Sequence, residues 1–349
     1  RFSRAFNRNK NFKKVKSFSS LNAWSKNFEK IQKKYNNFLI IKSFNTLNFC
    51  ALKINLLIKN SKAKTLEFST TRAPLYNKKN TIINNLNLTF FNLILYPKKI
   101  LIFIQYKFFL NFSKFFDFSP NFFLTCGSQS PIVENRNKNT KVIQGNSFDF
   151  NMYLKSKNKK IGNNYGLFLE APTPLFDGDT HLLGVDKHYL CTPEKWFKSL
   201  NKFFNLIEKY KGIKIKIAPH PKVKHKSKYP KYYYGREIID YNLSEVAKNS
   251  QVLISRDSFG LSFAAIHNKP AIFIYNNEFL EKKNNFLGNQ KIYATELGLE
   301  PINIDTLTDP KKISHLFKFN KNIYSKYKKK YLTNRIDNKI NYEIIGKLI

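Results

Sequence analysis

A histidine and a pair of serines are the residues of this chain best suited to chemistry. His220 stands in Ala218-Pro219-His220-Pro221, where the alternating run IKIKIA, 213–218, comes to an end. The flanking prolines fix the backbone on both sides and carry no N–H that would need a partner. An imidazole held this way can hydrogen-bond a phosphate or hand it a proton near neutral pH. Lys222 and Lys224 follow. They are either point charges suited to phosphate or ordinary solvated lysines. Ser255 and Ser258 bracket Arg256 and Asp257 in SRDSFG, where an apolar run breaks into a stretch rich in small residues. A helix starting there offers unpaired N–H groups and the positive end of its dipole to an anion. The plainer reading is a serine N-cap and nothing more. Glu170, at the end of YGLFLEA, and Asp177 and Asp179, in FDGD, are the acids nearest these groups in the pattern. They are candidates for a base, or the solvated carboxylates of a turn. FDGD also resembles a metal-binding acidic pair, but no metal is assigned.

The elements that would position these groups are clearest in the second half. YGLFLEA (165–171), IKIKIA (213–218), QVLIS (251–255) and PAIFIY (270–275) read as buried strands, with PINID (301–305) as a last one. Between them TPEKWFKSLNKFFNLIEKYKG (192–212) reads as an amphipathic helix, with Thr192 as N-cap, Pro193 in the first turn and Gly212 at the end. LSEVAKNS (243–250) and RDSFGLSFAAIHN (256–268) read as two more helices. Strands alternating with helices predict a doubly wound parallel sheet, whose ligands bind beyond the carboxyl ends of the strands. The first half is harder to read. It offers a helix over 20–35, strands over 37–41, 100–105, 121–125 and 141–145, and a phenylalanine run from 108 to 123 that suits a core.

A chain of 349 residues suggests two domains. The expected division is 1–150, 151–320 and a helical tail over 321–349. The net charge of +38 points to nucleic acid or an anionic membrane, or else to the Lys, Asn, Ile, Phe and Tyr excess of AT-rich coding. Cys50, Cys126 and Cys191 lie far apart, with no zinc spacing and no disulfide framework, which fits a reducing compartment. No apolar run reaches the length of a membrane span. The chain opens at Arg1 without methionine, in an Arg/Ser-rich stretch like a mitochondrial presequence. The favoured expectation is a first domain that lacks its opening strand.

The His-Pro strand end, the loop YPKYYYGREI, a short helix and then VLISRDSFGLSFAAIHNKPAIFIY together resemble the donor-nucleotide domain of GT-B glycosyltransferases. They are most similar to the bacterial sialyltransferase and polysialyltransferase-like families of surface-polysaccharide synthesis, over roughly 162–310. The resemblance implies two Rossmann-like domains and metal-independent sugar transfer, with no cofactor beyond a nucleotide-sugar substrate, CMP-linked. His220, Pro221 and Lys222, together with Ser255, Asp257, Ser258 and Phe259, would bind the nucleotide. His220 would serve the leaving phosphate, with Glu170 or Asp177 as catalytic carboxylate. The family's acidic base motif has no match in the first half, whose acids are Glu29, Glu67, Asp117, Glu134 and Asp149. The expected partners are a nucleotide sugar, a glycan or lipid-linked acceptor and the anionic inner face of the membrane, from the cytoplasm; nucleic acid is not expected. Beside this reading stand a decayed transferase, with the fold kept and the base lost, and two rivals. One is a CDP-polyol phosphotransferase of the teichoic-acid type; the other is a basic RNA-binding or organellar ribosome-associated protein.

Overall fold

The structure is a computed structural model. It describes residues 18–43, 48–69, 104, 107–109, 111–112, 115–129, 139–156, 164–176, 190–220, 229–239, 242–281, 286–307 and 309–348. Two parallel sheets follow one another along it, the two-unit α/β class expected of a GT-B-like chain. The first is ordered β1-β2-β3-β4 and built from Leu39–Lys42, Lys64–Phe68, Phe122–Cys126 and Lys141–Gly145. The second is ordered β6-β5-β7-β8-β9, from Tyr165–Leu169 (β5), Lys214–Ala218 (β6), Val252–Ser255 (β7), Ala271–Tyr275 (β8) and Ile302–Asn303 (β9). Every pairing is parallel.

Residue patterns explain the places in the second sheet. β5 is apolar at every position and buried throughout, as a central strand covered on both faces must be. β6 alternates, with Ile215 and Ile217 inward and lysines between, and takes the edge. Its free side is covered by the 237–239 segment, through Ile217 N–H to Glu237 O (2.8 Å) and Ile239 N–H to Ile217 O (2.8 Å). The helix Pro193–Lys211 lays Trp196, Phe197, Leu200, Phe203, Phe204 and Ile207 on one face of the sheet. This stripe recurs at helical spacing. Gly212 ends the helix in the left-handed conformation at φ 63. Thr192 holds the N-cap position, but its hydroxyl and N–H turn to Glu278 instead of the helix. The opposite face is covered by the helices Leu243–Asn249, Ser262–His267 and Phe286–Glu296, with Val246, Ala247, Phe263, Ala264, Ala265 and Ala294 packed on Leu167, Leu253 and Phe273.

The units are joined by a linker helix, Phe148–Lys155, and by a return of the chain. After the helix Lys321–Tyr327 the backbone comes back to the ends of β3 and β4. Ser128 and Gln129 donate N–H groups to Lys329 O and Lys330 O (3.0 and 2.9 Å), and Ser147 N–H donates to Leu332 O (2.7 Å). Asn146 and Asn341 exchange two hydrogen bonds of 2.8 and 2.9 Å. The last helix, Asn341–Gly346, then buries Ile344 against Leu66 and Leu124 of the first sheet. Gly127 makes the close approach feasible. Its φ is +61, and a Cβ there would lie 2.5 Å from Lys330 O.

Two expectations shift. Ile104, read as strand, is helical, while 100–103 and 105 lie outside the described residues. The helix read over 256–268 starts later, as a tight turn at Phe259–Leu261 that continues into Ser262–His267. The reason is local. Ser258 N–H donates to Ser255 Oγ (3.1 Å) and Arg256 pairs with Asp257, which holds 256–258 in a bend.

Candidate functional site

In the second sheet β6 and β7 leave β5 on opposite sides, so the topological switch lies between β5 and β7. Crevices that bind ligands form at such a point, beyond the carboxyl ends. Register puts Ala218, Leu169 and Ser255 in one row across the three strands. Glu170, Pro219-His220 and Arg256 to Ser258 therefore leave the sheet side by side.

The residues after these ends are tied to one another. Glu170 is buried, with two donors on its carboxylate: His220 N–H reaches Oε2 (3.1 Å) and Tyr233 O–H reaches Oε1 (2.5 Å). Charge-assisted bonds of this kind are among the stronger ones. Tyr233, fully buried, packs its ring on Phe168 and Phe197. Its turn is fastened to the long helix by Arg236, which grips both oxygens of Glu208 (3.0 and 2.8 Å) and Asn201 Oδ1 (2.7 Å). Glu170 thus fixes the backbone of His220, itself half-buried at the edge. This makes it a positioning residue for the histidine.

Ser255 is wholly buried. Its Oγ donates to Leu169 O (2.7 Å) and accepts from Ser258 N–H (3.1 Å), so the hydroxyl holds β7 to β5 and shapes the turn instead of facing a ligand. Ser258 is half-buried and its Oγ accepts from Gly260 N–H (3.2 Å), which leaves its own proton for a ligand oxygen. Asp257 is occupied by Arg256, and Phe259 is 57% exposed. Arg256 is buried to 2% exposure and sits over the Phe279 ring, with Nη1 donating to Thr173 O (3.0 Å). It locks the loop after β5 to the end of β7. Gln290 braces the same corner from below, its Nε2 bonded to Arg256 O and to Ile274 O. Asp177, Asp179, Pro221, Lys222 and Lys224 lie outside the described residues. Among the described residues no group of three or more His, Cys, Asp or Glu is placed to hold a metal ion.

Sequence reasoning missed Tyr233, Arg236 and the bracing role of Arg256. YYYG and SRDS were visible as motifs, but nothing in their spacing says that Tyr233 meets a carboxylate 63 residues away. A second polar cluster lies where the linker helix meets the second unit. Asp149 Oδ2 accepts from Ser262 Oγ (2.6 Å), and burial pushes its carboxyl from 3.8 up to about 6, against the lowering effect of that bond. One turn on, Tyr153 meets His267 edge-on at 5.4 Å. Burial first, then the charges of Lys248, Lys269 and Lys328, hold His267 down at about 4, with Ser244 acting the other way.

No family model matches the chain, and no curated protein matches its sequence. Among solved structures it is similar to UDP-GlcNAc 2-epimerase from Methanocaldococcus jannaschii, at 13% identity and a TM-score of 0.48 over 96% of this chain and 83% of that one. The UDP-bound MnaA of S. aureus gives 13% and 0.46 over 95% and 82%, and the kitacinnamycin glycotransferase 10% and 0.45 over 88% and 74%. Likeness at this level assigns neither a reaction nor a ligand to the chain.

Proposed function

We propose that the chain is a glycosyltransferase. It takes a sugar from a CMP-type nucleotide donor, sialic acid or a related acidic sugar, and passes it to a cell-surface glycan or glycolipid. The observation that supports this most is the shared edge at the switch point. There Glu170, itself bonded by Tyr233, holds the backbone of His220 after β6, and the Ser258 turn follows β7 on the other side of β5. The acceptor oxygen bonds to the anomeric carbon as the bond from that carbon to the phosphate breaks. His220 offsets the charge that grows on the leaving phosphate, and Ser258 donates to one of its oxygens. The acceptor proton goes to a carboxylate, for which Asp177, which follows β5 in the sequence, is the candidate.

The test is thermal stability with CMP, CDP, UDP and GDP on the wild type, His220→Ala and Ser258→Ala. Selective stabilisation by CMP, weakened in both variants, supports the reading. The shift should grow with ligand concentration over Kd. Selectivity for CDP moves the assignment to a CDP-polyol phosphotransferase on the same edge. Absence of any nucleotide response, with steeply salt-dependent RNA binding, replaces it by the RNA-binding reading that the net charge of +38 favours.

A further inference from the structure

We propose that the first unit docks on an anionic lipid surface through exposed apolar side chains among its described helical residues, Ile104, Phe108 and Phe115. The inference is independent of the reaction above. The positions 104, 108, 111 and 115 recur at helical spacing in the sequence, and all four of these described residues are exposed. Ile104 is 57% exposed, Phe108 46% and Phe115 83%. Phe109, Phe112 and Phe116 turn the other way, into a cluster with Leu52 and Phe118, so the inner face already has its core. Phe49 opens the neighbouring helix Phe49–Lys59 and is 70% exposed. It meets Phe109 edge-on at 5.0 Å, and Phe109 meets Phe108 at 5.4 Å, which makes the exposed rings neighbours.

Large apolar side chains gathered on a surface mark an interaction site more often than an accident of composition. The charge around them chooses the occupant. Lys53, one turn from Phe49, and Lys107, next to Phe108, are exposed. Residues 1–126 hold 23 Lys and Arg against three acids, of which Glu67 is engaged by Lys42 at 2.7 Å. A second copy of this chain would bring the same positive charge to the face. A layer of anionic headgroups brings the opposite one. Rings at the boundary of headgroup and acyl chain, with ammonium groups at the phosphates, form the pattern of an interfacial helix.

The experiment is sedimentation of the full chain with vesicles of phosphatidylcholine alone or mixed with phosphatidylserine, in about 0.1 M salt, where charge still acts over roughly 10 Å. The mixed vesicles should carry the chain down and phosphatidylcholine alone should not. Phe108→Ser with Phe115→Ser should weaken partition about tenfold or more, and Lys53→Glu with Lys107→Glu severalfold. Phe115→Ser alone, at the most exposed ring, should weaken it in the same direction and preserve the fold. Unchanged partition of the phenylalanine variants would overturn the proposal, because charge alone would then carry the binding. Phenylalanine-dependent self-association without vesicle binding would overturn it too, with a second copy as occupant.

Discussion

Asp149 and His267 tilt the stability of this protein with pH in opposite directions over one window. Both sit on the contact between the linker helix and the helix Ser262–His267. Asp149 titrates near 3.8 unfolded and about 6 folded. Its contribution is fully present below 3.8 and is lost as pH rises through 6, about 3 kcal/mol in all. His267 titrates near 6.5 unfolded and about 4 folded. Its contribution is present above 6.5 and is lost as pH falls through 4. Discounted for partial exposure it amounts to about 2 kcal/mol. Between pH 4 and 6 the two slopes oppose each other. The assay is urea unfolding at pH 4, 5, 6 and 7 for the wild type, Asp149→Asn and His267→Gln. Relative to the wild type, Asp149→Asn should gain about 3 kcal/mol from pH 4 to 7, and His267→Gln should lose about 2 kcal/mol. Other carboxylates cancel in these differences. Differences that do not change with pH, or change with the opposite signs, refute the argument.

Three further outcomes follow from contacts already described. Gly127→Ala places a Cβ against Lys330 O at a positive φ; it should lower the unfolding free energy by about 1–3 kcal/mol and expose the 328–333 return to protease before the rest. Tyr233→Phe removes the Tyr233 hydroxyl as a donor to the buried Glu170 carboxylate and should cost about 1–3 kcal/mol by chemical denaturation. Lys42→Met leaves Glu67 and Phe118 O without the ammonium that joins them and should cost about 3 kcal/mol; adding Glu67→Gln should recover part of that loss.

The second sheet was legible because its strands are apolar or alternating runs closed by helix signals, and each starts within a residue of where periodicity puts it, though β5 and β9 end two residues early. The first sheet was only half legible. KTLEF carries too little apolar pattern to read as β2, since only Leu66 of its residues points into a wholly dry core. The helix Phe49–Lys59, rich in Ile, Leu and Lys, is masked by a background of the same residues. At the candidate site the sequence marked three strand ends, which the register sets in one row. It did not assign tasks among them, because those depend on contacts across 50 and 63 residues that make Glu170 a brace. Ser255 and Ser258 look alike in SRDS. One is sealed beneath β5 and the other is left at the edge, a difference of burial that two serines three apart cannot announce.

The return of the chain to the first sheet bears on how the protein can be made. Ribosomes release a polypeptide from its amino end, and units commonly fold in that order. Here Ile344 covers Leu66 and Leu124, and Asn341 completes the bonds of Asn146. The opening unit must therefore wait, with part of its sheet uncovered, while the second is synthesised and folded. Among the described residues the second sheet takes no core residue from the first, so it can close ahead of its predecessor. A stalled or clipped chain lacking its last turns would carry a folded second half and an unsealed first one, the kind of species that chaperones hold and proteases remove.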